Sequence, residues 1–221
     1  MKNYLIANWK QNKTSSQILS WFEEFSLLYQ SAVNQIVVIC PSYPYLPLVK
    51  SLIESFNLTN VFVGSQDISV FEEGSHTGEV SVLQLKDFGT FSIIGHSERS
   101  EPLYQTQEKV EVCLRHGINP ILCLKTYENF QQNWPEKAVL VWEDPKAISK
   151  EGVYSETPLD EIIETSKKIK ALVGDRVVVY GGSANPDNVS ALYDRAHFNG
   201  FLVGKASLEA KTFNALLKSV K

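Results

Sequence analysis

Apolar residues fall along this chain in short, nearly unbroken runs, separated by longer stretches in which they recur every three or four positions. Tyr4–Trp9, Ile36–Cys40, Val61–Val63, Phe91–Ile94, Pro120–Leu124, Ala138–Trp142, Arg176–Tyr180 and Phe201–Val203 read as eight strands. Runs with so little alternation suit strands buried on both faces. Between them, Ile18, Phe22, Phe25 and Tyr29 keep helical spacing behind a cap at Ser15 or Ser16, and Leu46–Phe56 and Val80–Phe88 carry the same pattern. Ser97-Glu98-Arg99-Ser100 suits the first turn of a helix, and Leu103–His116 predicts a helix with Val110, Cys113 and Leu114 on one face and Gly117 ending it. Only a short helix fits between the fifth and sixth strands. Thr157-Pro158-Leu159-Asp160 places a cap, a proline and an acid where a helix begins, Asn185-Pro186-Asp187 repeats that logic, and Leu208–Val220 closes the chain as an amphipathic helix.

Strands alternating with helices argue for a wholly parallel sheet, and eight such units favour a closed (β/α)8 barrel over an open one. No Gly-x-Gly-x-x-Gly turn follows the first strand, which weakens a dinucleotide-binding reading. No linker or low-complexity stretch divides residues 1–221, so a single α/β domain is expected.

Composition changes this picture little. A hydrophobic content of 43% supports a full core, and a net charge of −4 with both signs scattered argues against a nucleic-acid stripe or a membrane-surface helix. An anionic ligand would therefore need a local cationic patch. Cys40, Cys113 and Cys123 lie far apart in apolar runs, without metal-ligand spacing, and read as buried thiols in a reducing cytoplasm. The apolar patch Tyr4–Ala7, between Lys2 and Lys10, is too short for a signal peptide, and no run could span a bilayer. A cytoplasmic protein is expected.

In a barrel of this kind, chemistry sits where strands end and the next loops begin. Those positions hold Asn8 and Lys10 after strand one, His96 and Glu98 after strand four, and Glu143 after strand six. Gly181-Gly182-Ser183 follows strand seven and Gly204 follows strand eight. Glu143 alone would pass for a solvated loop acid and Lys10 for a surface charge. Gathered on one rim, a base, an electrophile, a cation and two glycine turns are hard to explain structurally. His96 faces the N-terminal dipole of the turn after it, which disfavours a positive ring, so a neutral imidazole donating one hydrogen bond is expected.

ANWKQN (Ala7–Asn12), GSQD (Gly64–Asp67), HTGEVS (His76–Ser81), IIGHSER (Ile93–Arg99), ILC (Ile121–Cys123), YGGSANPDN (Tyr180–Asn188), GFLVG (Gly200–Gly204) and ASL (Ala206–Leu208) follow one another along the chain. In that order they resemble the triosephosphate isomerase family from end to end. The resemblance implies a TIM barrel that interconverts dihydroxyacetone phosphate and glyceraldehyde 3-phosphate with no cofactor and no metal. It implies Glu143 as the base, His96 as the proton donor and shuttle, and Lys10 and Asn8 as stabilisers of the developing charge. Glu98 resembles a buried acid beside the lysine, and the amides of Ser183 and Gly204 would hold phosphate. Ser65–Glu79 resembles a dimer loop, implying a homodimer whose site Thr77 completes.

Three departures stand out. The lid after the base ordinarily starts with proline and carries two glycines, but here it runs Glu143-Asp144-Pro145-Lys146-Ala147-Ile148-Ser149-Lys150-Glu151-Gly152. Ile148 would cover the site and the amide of Ser149 would reach phosphate. A glycine pair after strand eight is here Gly204-Lys205, and Lys205 reads equally as an added phosphate ligand or as a solvated charge on a tolerant turn. The segment after strand five is shortened, with Lys125-Thr126 in place of a Gly-Glu pair. These leave two other readings open: a catalytically impaired barrel that binds a phosphate ligand or serves as a scaffold, and a different phosphosugar isomerase or lyase on the same fold.

Overall fold

A computed structural model describes residues 2–131, 133–147 and 157–220. Eight strands, β1 (Asn3–Asn8), β2 (Gln35–Cys40), β3 (Val61–Ser65), β4 (Phe91–Ile94), β5 (Asn119–Leu124), β6 (Val139–Trp142), β7 (Val178–Tyr180) and β8 (Gly200–Val203), close into a barrel in sequence order. Every pairing is parallel, including the closing one, in which Tyr4, Leu5, Ile6 and Ala7 face Gly200, Phe201, Leu202 and Val203. Outside lie α1 (Ser15–Leu28), α2 (Leu46–Ser55), α3 (Val82–Leu85), α4 (Leu103–Arg115), α5 (Leu159–Val173), α6 (Val189–Ala196) and α7 (Ala210–Ser219). This is the (β/α)8 architecture that the apolar runs predict.

Alternation along each strand sorts the core into two layers. Ile6, Val38, Ile93, Ile121, Val141, Val179 and Leu202 fill the barrel, together with the thiols of Cys40 and Cys123. Leu5, Ala7, Val37, Ile39, Leu122 and Leu140 point outward and pack beneath the helices. Both faces are thus apolar, which explains why the runs show so little alternation in polarity. All three cysteines are buried and unpaired, and burial pushes the Cys113 thiol up to about 12.

Several element boundaries differ from expectation, each for a local reason. Ser97–Arg99 forms one isolated turn, closed by the Arg99 amide on the His96 carbonyl at 2.8 Å, and not the start of a helix. Ser100 has a positive φ of 53°, and Glu101 precedes a proline that disfavours helical backbone, so α4 waits until Leu103. Helix α3 is shorter than its pattern, with Ser81 and Gln84 forming a capping box. The Asn185 side chain accepts from the amides of Asp187 and Asn188, and this local turn delays α6 to Val189.

After β5, the described residues hold only a single 3-10 turn, Tyr127–Asn129, before β6. Phe130 and Trp134 are buried there, and the Trp134 indole donates to the Asn129 carbonyl at 2.8 Å. Arg176, expected as the first residue of strand seven, instead gives its guanidinium to the carbonyls of Trp134, Pro135 and Ala138. A ring plug and one cation close the wall that a helix would otherwise cover. Replacing Trp134 with alanine should therefore destabilise the fold by about 3–5 kcal/mol in urea unfolding, and a loss below about 1 kcal/mol would show that the plug carries little.

Candidate active site

All the sequence-predicted rim residues that the structure describes come to the C-terminal end of the barrel. Asn8 ends β1, His96 lies two residues beyond β4, Glu143 one beyond β6, and Gly204 one beyond β8. Asn8, Lys10, His96, Glu143, Ser183, Gly204 and Lys205 line one open cavity of about 410 Å³. Ser149, Ile148 and the lid through Gly152 lie outside the described residues.

The centre of this cavity is a contact between Glu143 and His96. Glu143 is 2% exposed, and its Oε1 stands 3.4 Å from His96 Nε2. Gly95 turns the chain at φ 71° as it leaves β4, and the turn that follows presents its amides inward. The Glu98 amide donates to His96 Nδ1 at 3.2 Å, so Nδ1 is an acceptor and the ring proton sits on Nε2, facing Glu143. Burial drives the His96 pKa below its ordinary value, with Lys10 and Lys125 adding to that and Glu143 and Glu98 opposing it. The neutral ring expected from the sequence is therefore supported, but through burial and one amide of an isolated turn in place of a helix dipole.

Ser97 is a site residue that the sequence pattern does not single out. Its amide donates to Glu143 Oε2 at 2.8 Å and its hydroxyl to Oε1 at 2.7 Å, so both carboxylate oxygens are held. The available signal was its position beside His96 at a strand end. Gln66, in the GSQD stretch, is another such residue. Its side chain donates to the Lys10 carbonyl at 2.8 Å and to the Cys40 carbonyl at 3.0 Å, and Ser42 donates to the same Lys10 carbonyl at 2.9 Å. Together with the Lys10 amide on Asn8 Oδ1 at 3.1 Å, these bonds hold Lys10 at a positive φ of 50°, a conformation costly for a residue with a side chain.

Lys10 Nζ meets Glu98 Oε1 at 2.6 Å, as the resemblance implied, but Glu98 is not buried. Its side chain is 53% exposed and is not part of the cavity lining, although its carboxylate reaches Lys10 Nζ and comes within 3.8 Å of His96 Nδ1, both at the cavity. Asp144 is 2% exposed; Oδ1 accepts from the Lys146 amide at 3.0 Å and Oδ2 from the Tyr180 hydroxyl at 3.2 Å. Among the described residues, no group of three or more His, Cys, Asp or Glu side chains could hold a metal ion, and no helix is long and apolar enough to cross a membrane.

A pH consequence follows from the depressed His96 pKa. Between the folded value and the ordinary 6.5, the unfolded chain binds more protons than the folded one. The stability this residue contributes is fully present above 6.5 and is lost progressively as pH falls through the folded value. Nitrogen-15 NMR should show an Nε2-protonated neutral ring that resists protonation below pH 6.5. A ring that titrates at 6.5 or above would contradict the geometry.

A family profile described as Triosephosphate isomerase matches residues 3–220. Among curated relatives, the triosephosphate isomerase of Thermus thermophilus is 32% identical over 99% of both chains. That of Clostridium botulinum is 32% identical over 98% of this chain and 99% of its own, and that of Treponema denticola is 30% identical over 96% of each. With the barrel, the rim and these matches in agreement, the chain belongs to the triosephosphate isomerase family.

Proposed function

We propose that this chain interconverts dihydroxyacetone phosphate and D-glyceraldehyde 3-phosphate through an enediolate. The observation that carries the proposal is the 3.4 Å approach of Glu143 Oε1 to a neutral His96 Nε2 within one cavity. Glu143 takes the carbon-bound proton next to the carbonyl, and the electron pair moves onto the carbonyl oxygen. His96 Nε2–H donates to that oxygen and passes protons between the two oxygens of the enediolate. Glu143 then returns its proton to the adjacent carbon. The sequence is a set of proton transfers and asks for neither a cofactor nor a metal.

Lys10 and Asn8 stabilise the negative charge that develops, where exclusion of water strengthens each dipole. Glu98, paired to Lys10, orients the ammonium. The amides of Ser183 and Gly204 take the phosphate, Ser149 adds its amide from the lid, and Lys205 adds a positive charge at that end. Ser97 holds Glu143 in a resting position, and the base must exchange those two bonds for the substrate before it can act. A displacement of about 1 Å at this step can cost roughly a hundredfold in rate.

The protein is further proposed to act in the cytoplasm as a homodimer through the Ser65–Glu79 loop, with Thr77 reaching the partner's site, and to bind neither nucleic acid nor membrane. Two features support the dimer. Phe71 is 46% exposed while stacking on His76 at 3.6 Å, and Glu72 is pinned to Arg115 at 2.6 Å and His116 at 3.1 Å, so the loop is anchored on the end of α4 and presents one exposed aromatic ring. Sedimentation velocity should return twice the chain mass, and a fully active monomer would reject the role of Thr77.

A coupled isomerase assay tests the chemistry. Glu143→Gln should lower kcat by about 100-fold or more, the range typical of a lost general base. If the wild type is no faster than that variant, the binder or scaffold reading replaces this one. Lys205→Gly should raise KM if the ammonium binds phosphate, and an unchanged or lower value would assign Lys205 to solvent.

A further inference from the structure

We infer that Asp144 is a positioning residue for the base, tying the strand that presents Glu143 to the turn that presents Ser183. The inference rests on the isomerase reading above and concerns how that site is held. Asp144 is nearly inaccessible to water, and a carboxylate in that position persists only where hydrogen bonds replace its solvation. It has them. Oδ1 accepts from the Lys146 amide, Oδ2 accepts from the Tyr180 hydroxyl, and its own carbonyl accepts from the Ala147 amide at 3.0 Å. The first and third bonds make residues 144–147 a closed turn. That turn sets the direction in which the chain leaves β6 and places Ala147, 4% exposed, in the cavity wall. Lys146 also pairs with Glu161 of α5, fastening the outer side of the turn.

The second bond reaches across to the next strand. Tyr180 is the last residue of β7 and is 1% exposed, and its ring folds back over the turn that follows it. A Cβ on Gly182 would fall 2.2 Å from the Tyr180 hydroxyl oxygen. Any side chain there would drive the hydroxyl off Asp144, so Gly182 is what makes the bridge possible. Gly182 immediately precedes Ser183, and the Gly181 amide already donates to the Trp142 carbonyl at 2.8 Å. A continuous path therefore runs from Glu143 through Asp144 and Tyr180 to the Ser183 turn. Proline at this position would restrict the backbone through its ring, whereas Asp144 restricts it through three hydrogen bonds.

The expected signature is a loss in kcat with little change in KM, because misplacing a base affects the transition state more than it affects binding. Asp144→Ala should lower kcat about tenfold or more with KM within about twofold. Asp144→Asn should recover to within about threefold of wild type, since its oxygen still accepts from Lys146 and its amide can donate to the Tyr180 oxygen. Tyr180→Phe should be intermediate, and its cost should shrink in the Asp144→Ala background, as expected of two residues that share one bond. A residue that only supports the fold would lower Tm without separating kcat from KM per folded molecule.

Should Asp144→Ala fail to fold, Tyr180→Phe carries the test, because it removes a single oxygen. Unchanged kcat in Tyr180→Phe overturns the inference, as does Asp144→Asn falling as far as a folded Asp144→Ala. A wild type no faster than Glu143→Gln defeats the isomerase reading and this inference with it. An active wild type with an indifferent Tyr180→Phe defeats this inference alone.

Discussion

Pairing of β8 with β1 is the constraint on which the site depends. With all eight strands parallel and the sheet closed, every strand ends on the same rim, so residues from both ends of the chain become neighbours. Closure is reinforced just above the barrel. The indoles of Trp9 and Trp21 both donate to the Ser207 carbonyl, at 3.3 and 3.1 Å, locking the exit of β1 to the exit of β8. A Cβ on Gly204 would lie only 3.5 Å from Lys10 Cε, so the candidate phosphate turn and the Lys10 side chain are in near contact. The rings of Trp9, Trp21, Phe22, Phe25 and Phe213 pack around that joint, giving it rigid apolar support.

On this frame, the turn Ser97–Arg99 sets the chemistry. Its amides and one hydroxyl reach two titratable side chains at once: Glu98 N–H fixes the His96 tautomer, and Ser97 holds both oxygens of Glu143. A helix at this position would have turned those donors along its own axis. The positive φ at Ser100 and the proline at 102 stop one from forming, which leaves the amides available to the site. Glu98, on the same turn, pairs with Lys10 while its side chain is 53% exposed, where the resemblance implies burial.

The strands were legible because burial on both faces leaves a strong local signal, and the long helices because their apolar stripes repeat. Elements decided by side-chain capture were not. The Asn185 side chain delays α6 by binding two amides, and the Arg176 guanidinium, just before β7, binds carbonyls of the segment that leads into the neighbouring β6. Neither preference is visible in periodicity. Residue types at the site were legible from their place after each strand, but Ser97 binds the carboxylate of Glu143 and Gln66 binds the carbonyls of Lys10 and Cys40, partners that only the folded chain brings near.

The departures from the family pattern bear on charge as well as on shape. Under the proposed reading, an anionic sugar must enter a cavity whose floor carries Glu143, with the buried carboxylate of Asp144 directly behind it. Lys10 offsets this, but its ammonium is already paired with Glu98 at 2.6 Å in a partly exposed setting, where such a pair adds little net attraction. Lys10 and Lys205 are the lysines among the described lining residues. Under the same reading, Lys205 adds a second cation at the end where the amides of Ser183 and Gly204 are proposed to hold the phosphate.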